Sequence, residues 1–266
     1  MATTPRFHQN FLSILYVLLS ACCGMMVSWI LVFPSSWLAG HSEMHDAFIA
    51  AMWSKEPPPP TPLSLVMKYK NHSAVQFTHI LPAAFWAALI PVQLHPTVRS
   101  QHRTLHRYSG YAFVGLSLSI AAGIALIDRR GLYYHLTDFP TVHAHDHTSD
   151  LGLNWFPHVP VFRAVASWFF LSICIAVRKA QLRRYQEHQF YILRHVASGM
   201  WVSVQRIYVL VVSARTPEGQ KAAFGDGAVV GFVITTLAAE LAILSLRSIK
   251  SEASGGRQTV EEKKGI

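Results

Sequence analysis

Charge is scarce in this chain: 14% of its 266 residues are Asp, Glu, Lys or Arg, against roughly a quarter in soluble domains. With 51% hydrophobic residues and a mean hydropathy of +0.27, that scarcity excludes a disordered or collagen-like chain. Cysteine is also rare. Cys22, Cys23 and Cys174 all lie within apolar runs, so they cannot build the disulfide framework of a small secreted domain. A Walker-type phosphate loop, a glycine-rich dinucleotide fingerprint, a Gly-x-Ser-x-Gly elbow and a His-Glu-x-x-His helix are missing as well. The enzyme classes that carry those motifs therefore lack positive support.

What the chain does have is long apolar runs, at about Phe11–Phe33, Val75–Leu94, Tyr108–Ile127, Val161–Val177, Phe190–Ser213 and Gly227–Leu246. A bilayer core of roughly 30 Å takes about 20 helical residues to cross. Open strands are excluded in lipid, where each unpaired peptide group costs several kcal/mol, and these runs lack the alternating polarity of barrel strands. The pattern predicts an all-α polytopic membrane protein of six transmembrane helices, with spans two to five as a central four-helix unit and spans one and six packed outside it.

Lys and Arg orient the spans, because positive charge within about 15–20 residues of a span favours the cytoplasmic side. With the N-terminus inside, the inner segments hold thirteen Lys and Arg and the outer segments seven, while the acids number four inside and nine outside. Both termini are expected in the cytoplasm. On this reading 1–10 is a cytoplasmic N-terminus, 11–33 the first span and 34–74 an outer loop with a Pro-rich stretch. Residues 75–213 are the four-helix core with a His-rich outer loop at 128–160, 214–246 an outer loop and the sixth span, and 247–266 a cytoplasmic tail. The pI near 9.7 follows from this topology and from attraction to anionic lipid headgroups, and calls for no nucleic-acid partner.

The first apolar run has 23 residues, beyond the roughly 7–15 of a signal-peptide core, and reads as a signal anchor. Leu19-Ser20-Ala21-Cys22 matches the pattern ahead of a lipidated bacterial cysteine, but the apolar run continues past it. In the loop that follows, His41–Ser54 reads as an interfacial helix, Pro57–Pro60 as an extended polyproline segment and Asn71-His72-Ser73 as a glycosylation sequon. The second large loop holds His135, His143, His145, His147 and His158 with Asp138, Asp146 and Asp150. In an extended strand His143, His145 and His147 share one face, and imidazole suits zinc, copper or nickel. The competing reading is a polar loop of biased composition.

Ionisable groups within a bilayer cost a few to more than ten kcal/mol, so they face the bundle interior and mark function. On span five His188, His195 and Arg206 fall within about 20° of one another at 100° per residue, with Gly199 nearby. Arg194 lies about 120° away, within snorkelling reach of the inner end. On span three His106 starts a face continued by Gly110, Phe113 and Ser117, small enough in part to leave room for something flat. On span two His79 stands above Ala83, Trp86, Ile90 and Gln93. Two levels of histidine result, His106 and His188 at the inner side and His79, with His158, at the outer side. Paired imidazoles at one depth are what a b-type haem needs, and Arg107 or Arg206 would meet its propionates. Glu240 on span six matches Arg194 and His195 in depth, and reads as an ion-pair or proton-relay partner.

Phe77-Thr78-His79, Pro91-x-Gln93, Arg99, Leu105-His106-Arg107-x-x-Gly110 and His188 with Arg194 and Arg206 together resemble a family of uncharacterised multi-pass membrane proteins, known as domain of unknown function 2306. The resemblance covers residues 75–210. Ile90, Tyr111 and Ile192 depart from its pattern, and His195 replaces a small residue. It implies that His79, His106, Arg107, His188, Arg194 and Arg206 matter as a set, and it supplies no reaction. Helix count and histidine placement are analogous to those of transmembrane b-type cytochromes and ferric reductases.

The leading expectation is thus an integral membrane, haem-b-binding electron-transfer protein, a transmembrane oxidoreductase working with a redox partner or a small-molecule substrate. The alternatives are a small-solute or proton-coupled transporter using Arg206, His195 and Glu240, and a membrane scaffold without chemistry. For the His-rich loop, calorimetric titration with zinc or copper should show binding tighter than millimolar that is lost on replacing His143, His145 and His147 by Ala. A flat titration would remove the metal site.

Overall fold

The computed structural model describes residues 5–32, 37–57, 59–133 and 158–264. They form α1 (Pro5–Leu31), α2 (Glu43–Trp53), α3 (Leu63–Val66), α4 (Ser73–Val75), a π-helical turn (Gln76–Ile80), α5 (Leu81–Leu94), α6 (Pro96–Ser100), α7 (Arg103–Arg129), α8 (His158–Gln181), α9 (Tyr185–Val212) and α10 (Pro217–Lys264). No strand occurs among the described residues. Six stretches are long and apolar enough to cross a membrane: Arg6–Leu31, Ser73–Leu94, Arg103–Arg129, Val159–Gln181, Tyr185–Val212 and Gly219–Glu252. The fold is all-α and polytopic. Most of these helices outrun the apolar stretches that mark them in the sequence, because a helix satisfies its own peptide groups and need not stop where hydrocarbon does.

The chain crosses six times, so both of its ends lie at one end of the bundle, here termed basal. A hydrogen bond of 3.2 Å between His8 Nδ1 and Ser245 Oγ joins α1 to α10 there. Round the bundle, α1 lies against α5, α5 against α7, α7 against α8, α8 against α9, α9 against α10, and α10 back against α1, which also touches α9. Ser203 Oγ donates to Cys22 O at 3.1 Å, and Tyr16 OH to Pro91 O at 3.2 Å. The main core gathers Trp86, Ile90, Phe113, Phe169, Ile173 and Met200. The outer faces stay apolar and open, as Leu18, Phe85, Leu118, Leu171 and Leu241 illustrate. A bilayer covers such a belt without cost.

One proline shapes the α5–α7 contact. Pro82 has no N–H, so the carbonyl of Thr78 loses its α-helical donor. Just before it the helix widens: Leu81 N–H reaches back to Gln76 O, five residues away, closing the π-helical turn. Ser119 on α7 supplies the missing donor, its Oγ–H meeting Thr78 O at 2.9 Å. Such proximity demands a small neighbour, and a Cβ added at Gly123 would stand 2.5 Å from the Cβ of His79. His79 therefore sits on the π turn with its backbone against α7.

The apical segments are tied down by polar contacts. Gln76, buried, donates through Nε2 to Ala39 O at 2.7 Å and accepts from His41 Nε2 at 2.8 Å. Asp46 receives the Gly40 N–H and pairs with Lys70 Nζ at 2.9 Å. Burial pushes the Asp46 carboxyl up, but Lys70, the Gly40 N–H and His45 together outweigh it and hold the group below the usual carboxylate range. Gly40 has φ +79°, where a side chain would be strained.

Gly123→Ala should lower the thermal stability of the detergent-solubilised protein by about 1–3 kcal/mol, because α5 cannot retreat from a methyl group without losing its core contacts. Gly115→Ala on the same helix, whose added carbon meets nothing within 4 Å, should leave the melting temperature unchanged. Equal melting shifts for the two variants would contradict the close α5–α7 approach.

Candidate functional site

At mid-depth the bundle is closed by a single imidazole and three rings. His195 on α9 is fully buried, its centroid 4.2 Å from the Phe169 ring, 5.6 Å from Phe113 and 5.7 Å from Trp86. Its Nδ1–H donates to Phe169 O at 3.0 Å, with Ser172 Oγ at 3.3 Å. Nε2 accepts from Trp86 Nε1 at 3.3 Å and lies 2.9 Å from Ser117 Oγ. Both ring nitrogens are engaged, as a neutral buried imidazole requires. The space expected along Gly110, Phe113 and Ser117 is filled at the level of Ser117. A Cβ at Gly199 would meet the Trp86 ring at 2.6 Å, one at Gly110 would meet Gln93 at 3.5 Å, and Ser117 is bonded to Trp86 and His195. Around Ser117 the protein's own side chains take the room.

The basal level holds His106 and His188. His188 Nδ1–H donates to Ala176 O on α8 at 2.9 Å, which fixes the tautomer and leaves the Nε2 lone pair without a protein partner among the described residues. His106, at the start of α7, has a buried Nδ1 with no hydrogen-bond partner among the described residues. The groups that act on it electrostatically are His188 and Arg99, so the two imidazoles share one region. Gln93 Nε2 donates to His106 O at 3.2 Å and anchors this first turn of α7 to α5. Arg99 on α6 is partly desolvated, which pulls its guanidinium down from its usual value without removing its charge. Arg107, next on α7, is exposed.

A partly open cavity of about 310 Å³ lies in the apical third. Its floor includes Trp86 and Phe169, and its walls carry His79 and Arg206. Arg206 stacks over Phe224 at 5.1 Å and Trp29 at 5.7 Å. His79 Nδ1–H points to Ile120 O at 3.3 Å, leaving Nε2 without a bond among the described residues. Helical phase alone put His188, His195 and Arg206 on one stripe. In the structure His188 and His195 bond carbonyls of α8, whereas Arg206 extends between α1 and α10. It stands eighteen residues beyond His188, about 27 Å along the helix at 1.5 Å per residue, so it cannot serve a group held at the basal level.

Arg194 and Glu240 form a bidentate pair, with Nε to Oε1 at 2.6 Å and a second bond to Oε2 at 2.9 Å. His195 takes no part in it. Arg194 also lies 5.6 Å from the centroid of the Tyr191 ring. His143, His145 and His147 lie outside the described residues, as does the side chain of His158. No cluster of three or more metal-ligating side chains occurs among the described residues.

Sequence reasoning missed Trp29, Phe169, Ser172 and Phe224 as the neighbours that define these sites. They carry no charge or motif, and only the packing of α1, α8 and α10 brings them in. Compared with protein-family models, with curated proteins and with solved structures, the chain gives no match.

Glu240→Gln or Arg194→Gln should each lower thermal stability by about 1–3 kcal/mol, since each leaves an uncompensated group in the membrane region. The double variant should recover most of that loss. Additive losses would show that the two side chains are not coupled.

Proposed function

We propose that this integral membrane protein binds a b-type haem between His106 and His188 and passes electrons. The observation that carries the reading is the state of the two imidazoles: among the described residues His188 is locked through Nδ1 by the Ala176 carbonyl with no partner on Nε2, and His106 has a buried nitrogen without a protein partner. A ligating histidine characteristically gives its other N–H to a backbone carbonyl. Haem, when bound, supplies one-electron redox chemistry.

The chain's own residues would do the rest. His106 on α7 and His188 on α9 would hold the group from two different helices. Arg99 and Arg107 offer cations to propionates at the same end, and the ring cluster around His195 excludes water from above. Both histidines fall on the motifs that resemble domain of unknown function 2306, which adds weight to treating them as a set. The excess of Lys and Arg in the basal segments supports a cytoplasmic basal end, with both termini inside. A transport reading is less favoured, because Glu240 is tied to Arg194 and His195 has no free nitrogen.

The purified full-length protein, expressed with ample haem, should give a reduced-minus-oxidised spectrum with Soret and α bands. His106→Ala and His188→Ala should each abolish it, while His188→Met should retain haem with a shifted midpoint potential. A colourless protein, or a spectrum indifferent to both alanine variants, would overturn the proposal.

A further inference from the structure

Arg206 poses a separate question. A guanidinium is always charged, and a charge at membrane depth is expensive unless paired. Among the described residues no carboxylate lies within salt-bridge distance of it. Aromatic rings flank it, Trp29 and Phe224, and among the described residues the ionisable group acting on it electrostatically is the Tyr69 phenol, which is neutral at physiological pH. Stacking on ring faces offsets part of the desolvation but leaves a net positive charge and a fork of N–H donors at the wall of the cavity.

Most of the rest of that wall is apolar, with Ile30, Ala83, Ile124, Val165 and Phe162 among its residues, while Lys68 adds a second cation to the lining and His79 Nε2 is a lone-pair acceptor at the side. At about 310 Å³ the volume falls at the lower end of small-molecule sites, which run from roughly 300 to 1,000 Å³. A free inorganic anion would satisfy Arg206 and leave the greasy wall empty. A hydrocarbon would fill the wall and leave the charge alone. Both demands are met by one molecule with an anionic head and an apolar chain. We infer that the apical cavity is a binding site for a single-chain anionic amphiphile, its carboxylate or phosphate head paired with Arg206 and its chain packed between the aromatic and aliphatic residues. A free fatty acid and a lipid phosphate monoester share this chemistry. The inference does not depend on the basal histidines: Trp86, Phe169 and His195 stand between the two regions.

The test uses full-length protein in nanodiscs of zwitterionic lipid. Trp29, Trp86 and Trp201 line the cavity, so a chain-brominated dodecanoate bound there quenches their fluorescence. Unbrominated dodecanoate, dodecyl phosphate and dodecanol are then compared as competitors at equal mole fraction in the bilayer. At least one of the anions should compete about tenfold or more better than the alcohol. Competition by the carboxylate alone identifies a fatty acid as the source, by the phosphate alone a lipid phosphate. Arg206→Gln should abolish the preference for anions, and Arg206→Lys should keep part of it. Ala83→Phe fills the cavity without touching the arginine and should remove quenching, which guards against misfolding of the Arg206 variants. Equal competition by dodecanol, or saturable quenching that survives Ala83→Phe, would overturn the inference while leaving the haem spectrum and its His106 and His188 variants as an independent question.

Discussion

The imidazole of His195 touches four helices at once. It belongs to α9, donates to a carbonyl of α8, accepts from the indole of α5 and lies against the hydroxyl of Ser117 on α7. In lipid there is no hydrophobic drive to press helices together, since acyl chains are as apolar as leucine. Close packing and satisfied polar groups have to do that work. His195, wholly enclosed, concentrates both in one place: three aromatic rings pack on it and its nitrogens define which face of each helix turns inward. The orientation of those four helices then places His79 and Arg206 above this level and His106 and His188 below it.

The second organising element is the pairing of a proline with a serine one helix away. Pro82 strips Thr78 O of its donor, Ser119 restores one, and Gly123 lets the two backbones meet. This arrangement sets the position of His79 through its main chain, leaving its side chain to reach the cavity. Its place on a π-helical turn fits the general association of such turns with functional positions.

How far the sequence could be read varies with the kind of information involved. Six helices are legible in runs of apolar residues, because crossing hydrocarbon imposes a length and a composition that nothing else in the chain imitates. Their ends are less so: α7 begins at Arg103 and α10 runs on to Lys264, since polar residues continue a helix into water as readily as apolar ones within lipid. Depth counted along helices put Glu240 level with both Arg194 and His195, and only the structure distinguishes them, giving the carboxylate to Arg194. Phase along α9 placed Arg206 with the two histidines, but a long flexible side chain is not bound to the direction of its Cβ, and this one turns toward Trp29 and Phe224. The π turn and the indole that fills the space beside Gly199 are tertiary facts, set by helices far apart in sequence.

The packed layer of Trp86, Phe113, Phe169 and His195 is also a region of low polarity, which opposes the entry of ions. Among the described residues that layer leaves no spare polar atom on its imidazole around which a file of water could assemble. A hydrated ion passing through it would have to break several hydrogen bonds and part stacked rings. An electron faces no such obstacle, because tunnelling needs proximity and not an opening. A membrane stays energised only while its proteins do not leak, and on the proposed electron-transfer reading this layer would let electrons be exchanged without short-circuiting the gradient.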